Sequence, residues 1–120
     1  MKIADVAKEH DITADTLRYY ERIGLLRPIA RTAAGVRDYS EADRERIRFI
    51  KCMRGAGVSI EPLTEYMRLL DQGDGTLEAR REILVRQREI TRARMAEMQK
   101  GLERLDYKIE HYDELILAAK

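Results

Sequence analysis

A chain of 120 residues, 38% of them charged and 44% hydrophobic, with no tryptophan and two prolines, has room for one modest domain or for a small domain with an extended appendage. Its formal net charge of +1 excludes a protein that holds polyanions by bulk charge alone. No apolar run approaches the roughly 18 residues of a membrane-crossing helix, so nothing is expected to span a membrane and no membrane partner is expected.

The single cysteine cannot form an internal disulfide, and this points to a reducing, cytosolic setting. The first residues, Met1-Lys2-Ile3-Ala4-Asp5, place an acid where a signal peptide would continue its apolar region. Abundant Ala, Glu, Arg and Leu fit a mainly α protein with a long exposed helix. Charge is unevenly spread. Between Arg18 and Arg54 there are ten Lys or Arg against five Asp or Glu, the local basic excess that a nucleic-acid footprint requires.

Residues 2 to 9 read as a short helix with Ile3, Val6 and Ala7 on one side. His10-Asp11-Ile12 is a tight connection in which Asp11 has to take a left-handed conformation, which Asp tolerates better than most residues. Thr13 is a good N-cap for a second helix, with Asp15 in its first turn, Arg22 in its last and Gly24 just past its end. Leu17, Tyr20 and Ile23 share the packing side, which turns Arg18, Tyr19 and Arg22 elsewhere. Two short helices joined by such a turn, over about 3–23, make a helix-turn-helix whose second helix is suited to a major groove.

Pro28 breaks the helical pattern. Gly35, between β-leaning residues, suggests a small two-stranded wing over about 30–39, with Arg31 and Arg37 flanking its tip within reach of phosphates. Ser40 with Asp43 is a capping-box variant that opens a third helix, which runs to about Arg54 and packs through Ile47, Ile50 and Met53 or Arg54. Ser59 is the expected N-cap of a fourth, with Leu63, Tyr66, Met67 and Leu70 as its apolar side. Gln72-Gly-Asp-Gly75 closes the compact part, a DNA-binding domain over residues 1–70.

Over 76–118 the only helix-disfavouring residue is Gly101. Leu77, Leu84, Met98, Leu105 and Tyr112 recur every seven residues, with Thr91 as the polar member, and Met95, Leu102, Ile109 and Ile116 form a second set. Two such sets make the a/d seam of a coiled coil. In water this stripe needs a partner, and the simplest is a second copy in a symmetric dimer. A length of roughly 60 Å at 1.5 Å per residue argues against folding back on the first 70 residues.

Nothing indicates an enzyme. There is no nucleophile–base pairing, phosphate-cradling glycine loop or metal triad, and no cofactor is expected. His10, His111 and Cys52 have no metal-ligand spacing. Cys52 has two readings. Arg48, Lys51 and Arg54 lie nearby and favour a thiolate. The last turn of a helix, however, presents carbonyl oxygens that disfavour an anion, and free cysteine often serves as a small buried apolar side chain. Tyr66, Met67, Tyr107 and Tyr112 offer a ligand pocket as an alternative to plain core packing. A coiled-coil scaffold is the competing class; it accounts for residues 77 to 118 but not for the caps, turn and wing of residues 1 to 40.

Leu17-Arg-Tyr-Tyr-Glu-Arg-Ile-Gly-Leu-Leu26, followed by Arg31, Gly35-Val36-Arg37 and Tyr39-Ser40, closely resembles the MerR family of bacterial transcription regulators. The resemblance covers the whole chain: a winged helix-turn-helix, a helical pair and a dimerisation helix. The wing departs from the usual Gly-Tyr-Arg-x-Tyr at Val36, and the turn has Asp11 where Gly is usual. The resemblance implies a homodimer with antiparallel long helices, seated on a pseudo-palindromic promoter whose spacer is overlong. RNA polymerase is then reached indirectly, through distortion of that duplex. By position, Thr13, Thr16, Arg18, Tyr19, Arg22, Arg31, Gly35, Arg37 and Tyr39 are the DNA-binding candidates. Leu84, Met95, Met98, Leu102, Leu105, Ile109 and Tyr112 are those for dimerisation. A bacterial cytoplasmic, nucleoid-associated location follows.

Lys51-Cys52-Met53-Arg54-x-Ala56-Gly57-Val58-Ser59, with Arg104-Leu-Asp-Tyr-Lys-Ile109, resembles the thiol- and aldehyde-responsive branch of that family (the AdhR and NmlR type). That resemblance implies Cys52 as a sensor of electrophiles such as formaldehyde or methylglyoxal. The cysteines of the family's metal sensors and the appended domain of its drug sensors are not seen here.

Overall fold

A computed structural model describes all residues 1–120. It contains five α-helices: α1 (Ile3–Glu9), α2 (Ala14–Arg22), α3 (Glu41–Gly55), α4 (Ile60–Asp71) and α5 (Leu77–Ala118), with one 3-10 turn at Asp74–Thr76 before α5. The chain forms two compact units, Met1–Val85 and Arg86–Lys120. The division falls inside α5.

The caps explain most of the boundaries. Thr13 Oγ1 accepts from the Thr16 N–H at 3.1 Å, and Ser40 and Asp43 form the reciprocal capping box of α3. Ser59 stands at the N-cap of α4 with no side-chain cap bond. The third residue of that helix is Pro62, which has no N–H to offer, so of the two usual donors only that of Glu61 remains, and Ser59 does not engage it. Asp11 takes φ 49° in the turn, as its position demands. Gly24, at φ 83°, lets the chain leave α2 and turn Leu25 and Leu26 inward.

The core of the first unit is assembled from α1 to α4 and the segments between them. Val6, Leu17, Leu25, Ile47 and Ile50 are completely buried, joined by Leu26, Ile29, Val58, Leu63 and Met67. Met53, rather than Arg54, completes the packing side of α3, and Phe49 stacks on Tyr66 with centroids 5.3 Å apart. Polar ties reinforce it. Arg46 on α3 binds Asp71 at the end of α4 through two bonds of 2.8 and 3.3 Å. Arg80, early in α5, donates to Thr76 Oγ1 and to the Gly73 carbonyl, which fixes the link in place.

The expected two-stranded wing is smaller than its sequence suggests. A single antiparallel bridge joins Arg31 and Arg37, closed by Thr32 N–H to Val36 O at 2.8 Å and Asp38 N–H to Ala30 O at 2.7 Å. Gly35 N–H returns to Thr32 O, and Gly35 itself sits at φ 83°, the left-handed residue of a three-residue hairpin loop. Ala33 and Ala34 occupy the loop, and beyond the bridge the next backbone donors go elsewhere, the Ile29 N–H to Glu21 Oε2 and the Tyr39 N–H to the Met1 carbonyl, so the ladder stops.

In the second unit, α5 continues without a break through Gly101 to Ala118.

Candidate nucleic-acid interface

Two exposed surfaces carry the candidates. The first is the outer side of α2. Burial of Leu17 and Tyr20 fixes the roll of this helix and leaves Arg18, Tyr19 and Arg22 outside. Arg18 pairs with Asp15 at 2.9 Å, a surface contact that water and salt screen heavily. Arg22 lies over the Tyr19 ring, 5.3 Å from its centroid, which stiffens both side chains while leaving the guanidinium edge free to donate. Thr16 is half-buried, and its hydroxyl is hydrogen-bonded to Thr13 Oγ1 at 2.7 Å. These two threonines act first on the start of the helix.

The second surface is the wing tip. Arg31 is exposed and donates Nη1 to the Gly35 carbonyl at 2.8 Å. Arg37 behaves differently. Its side chain is 24% exposed, and its Nε donates to Glu21 Oε1 at 2.7 Å; Glu21 is 17% exposed. Tyr39, expected to face DNA, is turned into the core at 2% exposure, and its hydroxyl has no partner in the free chain. Burial pushes its phenol above the ordinary value, opposed by the nearby Arg37 and Arg18 and assisted by Glu21 and Asp43.

Two residues at this site escaped the sequence reading. Glu21 is one. The other is Lys51, whose Nζ donates to the carbonyls of His10 and of Asp11, the latter at 3.0 Å, tying α3 to the helix-turn-helix turn. An acid inside a basic recognition segment is the signal that could have exposed Glu21. Lys51 gives no such signal, because its partners are backbone atoms distant in sequence.

Cys52 is exposed and free. The cations expected to activate it are committed elsewhere: Arg48 to Glu41 at 3.3 Å, Lys51 to the turn carbonyls, and Arg54 Nη1 to the Val58 carbonyl at 2.8 Å. Exposure, rather than a basic cradle, is what the fold gives this thiol. Of the proposed aromatic pocket, Tyr66 and Met67 line a groove of about 300 Å³ with Ala42, Glu45, Arg46, Phe49 and Leu70, while Tyr107 and Tyr112 stand exposed on α5. No group of three or more His, Cys, Asp or Glu is placed to hold a metal ion. No helix is long and apolar enough to cross a membrane.

The dimerisation candidates form a second exposed feature. Met95, Met98, Leu102, Leu105, Ile109 and Tyr112 are each 50% exposed or more, and Leu84 is 40% exposed. So long an exposed apolar stripe on one helix marks an interaction surface.

Residues 1–70 match the family model described as MerR HTH family regulatory protein, and residues 44–107 match the model described as MerR, DNA binding. The chain belongs to the MerR family. These are DNA-binding transcription regulators and not enzymes, and the mainly helical fold, with its long C-terminal helix, is theirs. The transcriptional regulator AdhR of Bacillus subtilis is 56% identical over 89 residues, 74% of this chain and 64% of AdhR, so the chain spans just under two thirds of that relative's length. A MerR family regulator from Listeria monocytogenes, 44% identical, superposes with a TM-score of 0.93 over 99% of this chain and 90% of its own. HiNmlR, described as a MerR family regulator lacking the sensor domain and solved bound to promoter DNA, is 27% identical. It has a TM-score of 0.84 over 94% of this chain and 90% of that one.

Proposed function

We propose that two copies of this chain pair along α5 and set two winged domains on a pseudo-palindromic promoter in the bacterial cytoplasm, where they control transcription by distorting the spacer. Residues 1–70 are the DNA-binding part and 76–118 the dimerisation part. Thr16, Arg18, Tyr19 and Arg22 meet the groove and its flanking phosphates, with Thr13 fixing the start of their helix and Arg31 and Gly35 reaching the backbone from the wing. The observation that carries the reading is the roll of α2, which buries Leu17 and Tyr20 and leaves a stiffened Arg22–Tyr19 pair outside. HiNmlR, of similar fold, has been solved on promoter DNA, and this supports duplex DNA as the partner.

The signal we assign is an electrophile, read by Cys52. An aldehyde adds to the exposed thiol: sulfur bonds to the carbonyl carbon, and the thiol proton ends on the oxygen as a hemithioacetal. No oxidant is consumed. Likeness to AdhR supports this branch. The test is transcription in vitro from the promoter beside this protein's own gene, with and without formaldehyde, using the natural chain and Cys52→Ser. Activation lost in the serine variant supports the thiol sensor. Equal activation in both discards it and moves the signal to the Phe49–Tyr66 groove, the second reading that the open space there favours. Absence of salt-dependent binding to that promoter would remove the DNA reading itself.

A further inference from the structure

Glu21 is an acid at the point where a DNA-binding surface should carry cations. It lies in the last turn of α2, three residues after Arg18 and one before Arg22. Its two oxygens are used separately. Oε1 accepts from Arg37 Nε at 2.7 Å, and Oε2 accepts from the Ile29 backbone N–H at 3.4 Å. Ile29 enters the wing and Arg37 leaves it, opposite Arg31 in the single bridge. One carboxylate therefore holds both legs of the wing to the end of the recognition helix. Tyr39, two residues after Arg37, is buried, and the charges of both Arg37 and Glu21 act on its phenol. The wing has only one bridge of its own, so its angle to α2 rests on anchors outside it: buried Ile29 and Tyr39, Met1 bonded to Asp38 and Tyr39, and this carboxylate, which alone among them belongs to α2.

We propose that Glu21 and Arg37 form a strut that sets the spacing between the recognition helix and the wing, and that Arg37 acts as a positioning residue rather than a phosphate contact. The strut rests on the DNA-binding reading above. A winged domain must engage two places on one duplex at once, so the angle between helix and wing decides whether both contacts form on the same deformed DNA. An arginine already neutralised at 2.7 Å, and only 24% exposed, releases no counterion when DNA binds. Arg31, exposed and bonded only to a carbonyl, remains available to phosphate.

The two roles predict opposite signs. If Arg37 were a phosphate ligand held back by Glu21, Glu21→Gln would free it and tighten binding. If the pair is a strut, Glu21→Gln and Arg37→Gln each weaken binding to the natural chain's promoter duplex by about ten-fold, and the double variant is no worse than either alone, as expected when two residues act as one unit. The slope of log affinity against log salt stays unchanged in all three, whereas Arg31→Gln flattens it by about 1.8, one phosphate contact from each of the two copies. Tighter binding in Glu21→Gln, or a flattened slope in Arg37→Gln, overturns the strut. A measurement on the natural chain guards against variants that fail to fold: the Arg37 Nε–H resonance is expected to keep its shift and slow exchange on saturation with the duplex. A large shift assigns Arg37 to phosphate. Failure of the natural chain to bind any duplex is a separate result, against the DNA-binding reading.

Discussion

Asp71 shows how a single side chain stabilises the domain. Arg46, its side chain 11% exposed, grips both carboxylate oxygens, and Arg27 approaches one of them at 3.5 Å. The hydrogen bond from Arg46 is the main reason that the Asp71 carboxyl is held below the ordinary carboxylate value. A depressed folded-state pKa stabilises the fold above the unfolded value of 3.8, and the contribution is lost as pH falls through the folded pKa. Asp71→Asn is thus expected to cost about 1 kcal/mol at pH 7, discounted because the site is a third exposed. The difference between the variant and the natural chain should shrink to nothing in strong acid. Urea midpoints at pH 7 and below 3 check this; an unchanged gap at low pH would refute the ionic origin. At the same scale, its exposure sets Cys52 apart from a packed cysteine.

Helices were legible because their signals are local. Leu17 and Tyr20 are buried with Ile23 partly so, Ile47 and Ile50 line α3, and Leu63 and Met67 line α4, all at the spacing read from the sequence. Caps were equally readable at Thr13 and Ser40, whereas Ser59 makes no cap bond and has lost one of its two usual donors to Pro62. Ser40→Ala is therefore expected to cost about 1 kcal/mol, since it removes the acceptor from the Asp43 N–H and half of a reciprocal box. Ser59→Ala should cost almost nothing. Thermal unfolding of the two variants checks the contrast, and an equal loss in both would contradict the geometry. The wing and the site were less legible for a physical reason. Tyr39 sits where a wing residue can face either way, and its burial is decided by packing against distant elements. Glu21–Arg37 and Lys51 with the turn carbonyls join residues 16 and more apart, beyond any local periodicity.

At the scale of the whole molecule, the proposed pairing along α5 removes its exposed apolar stripe from water. Leu102 and Leu105, 50% and 61% exposed, lie in the middle of the stripe, and each side chain of this kind contributes roughly 1.5–3 kcal/mol when fully buried. Doubling the helix also couples two winged domains, so the second lands on DNA as an intramolecular event, raising affinity by about 10²–10⁴ without any new contact. Replacing both leucines by glutamate puts four carboxylates into any symmetric seam that includes them, two from each copy, where burial penalises the charged form. The variant is expected to sediment as a monomer at concentrations where the natural chain is a dimer, and to bind the promoter duplex at least about 100-fold more weakly. The Met1–Val85 unit carries its own core around Leu17, Ile47 and Ile50, so dispersed methyl resonances from those residues should survive. A monomer with undiminished affinity would show that one winged domain suffices. A persistent dimer would move the seam away from Leu102 and Leu105, toward the exposed Leu115 and Leu117 near the end of the helix.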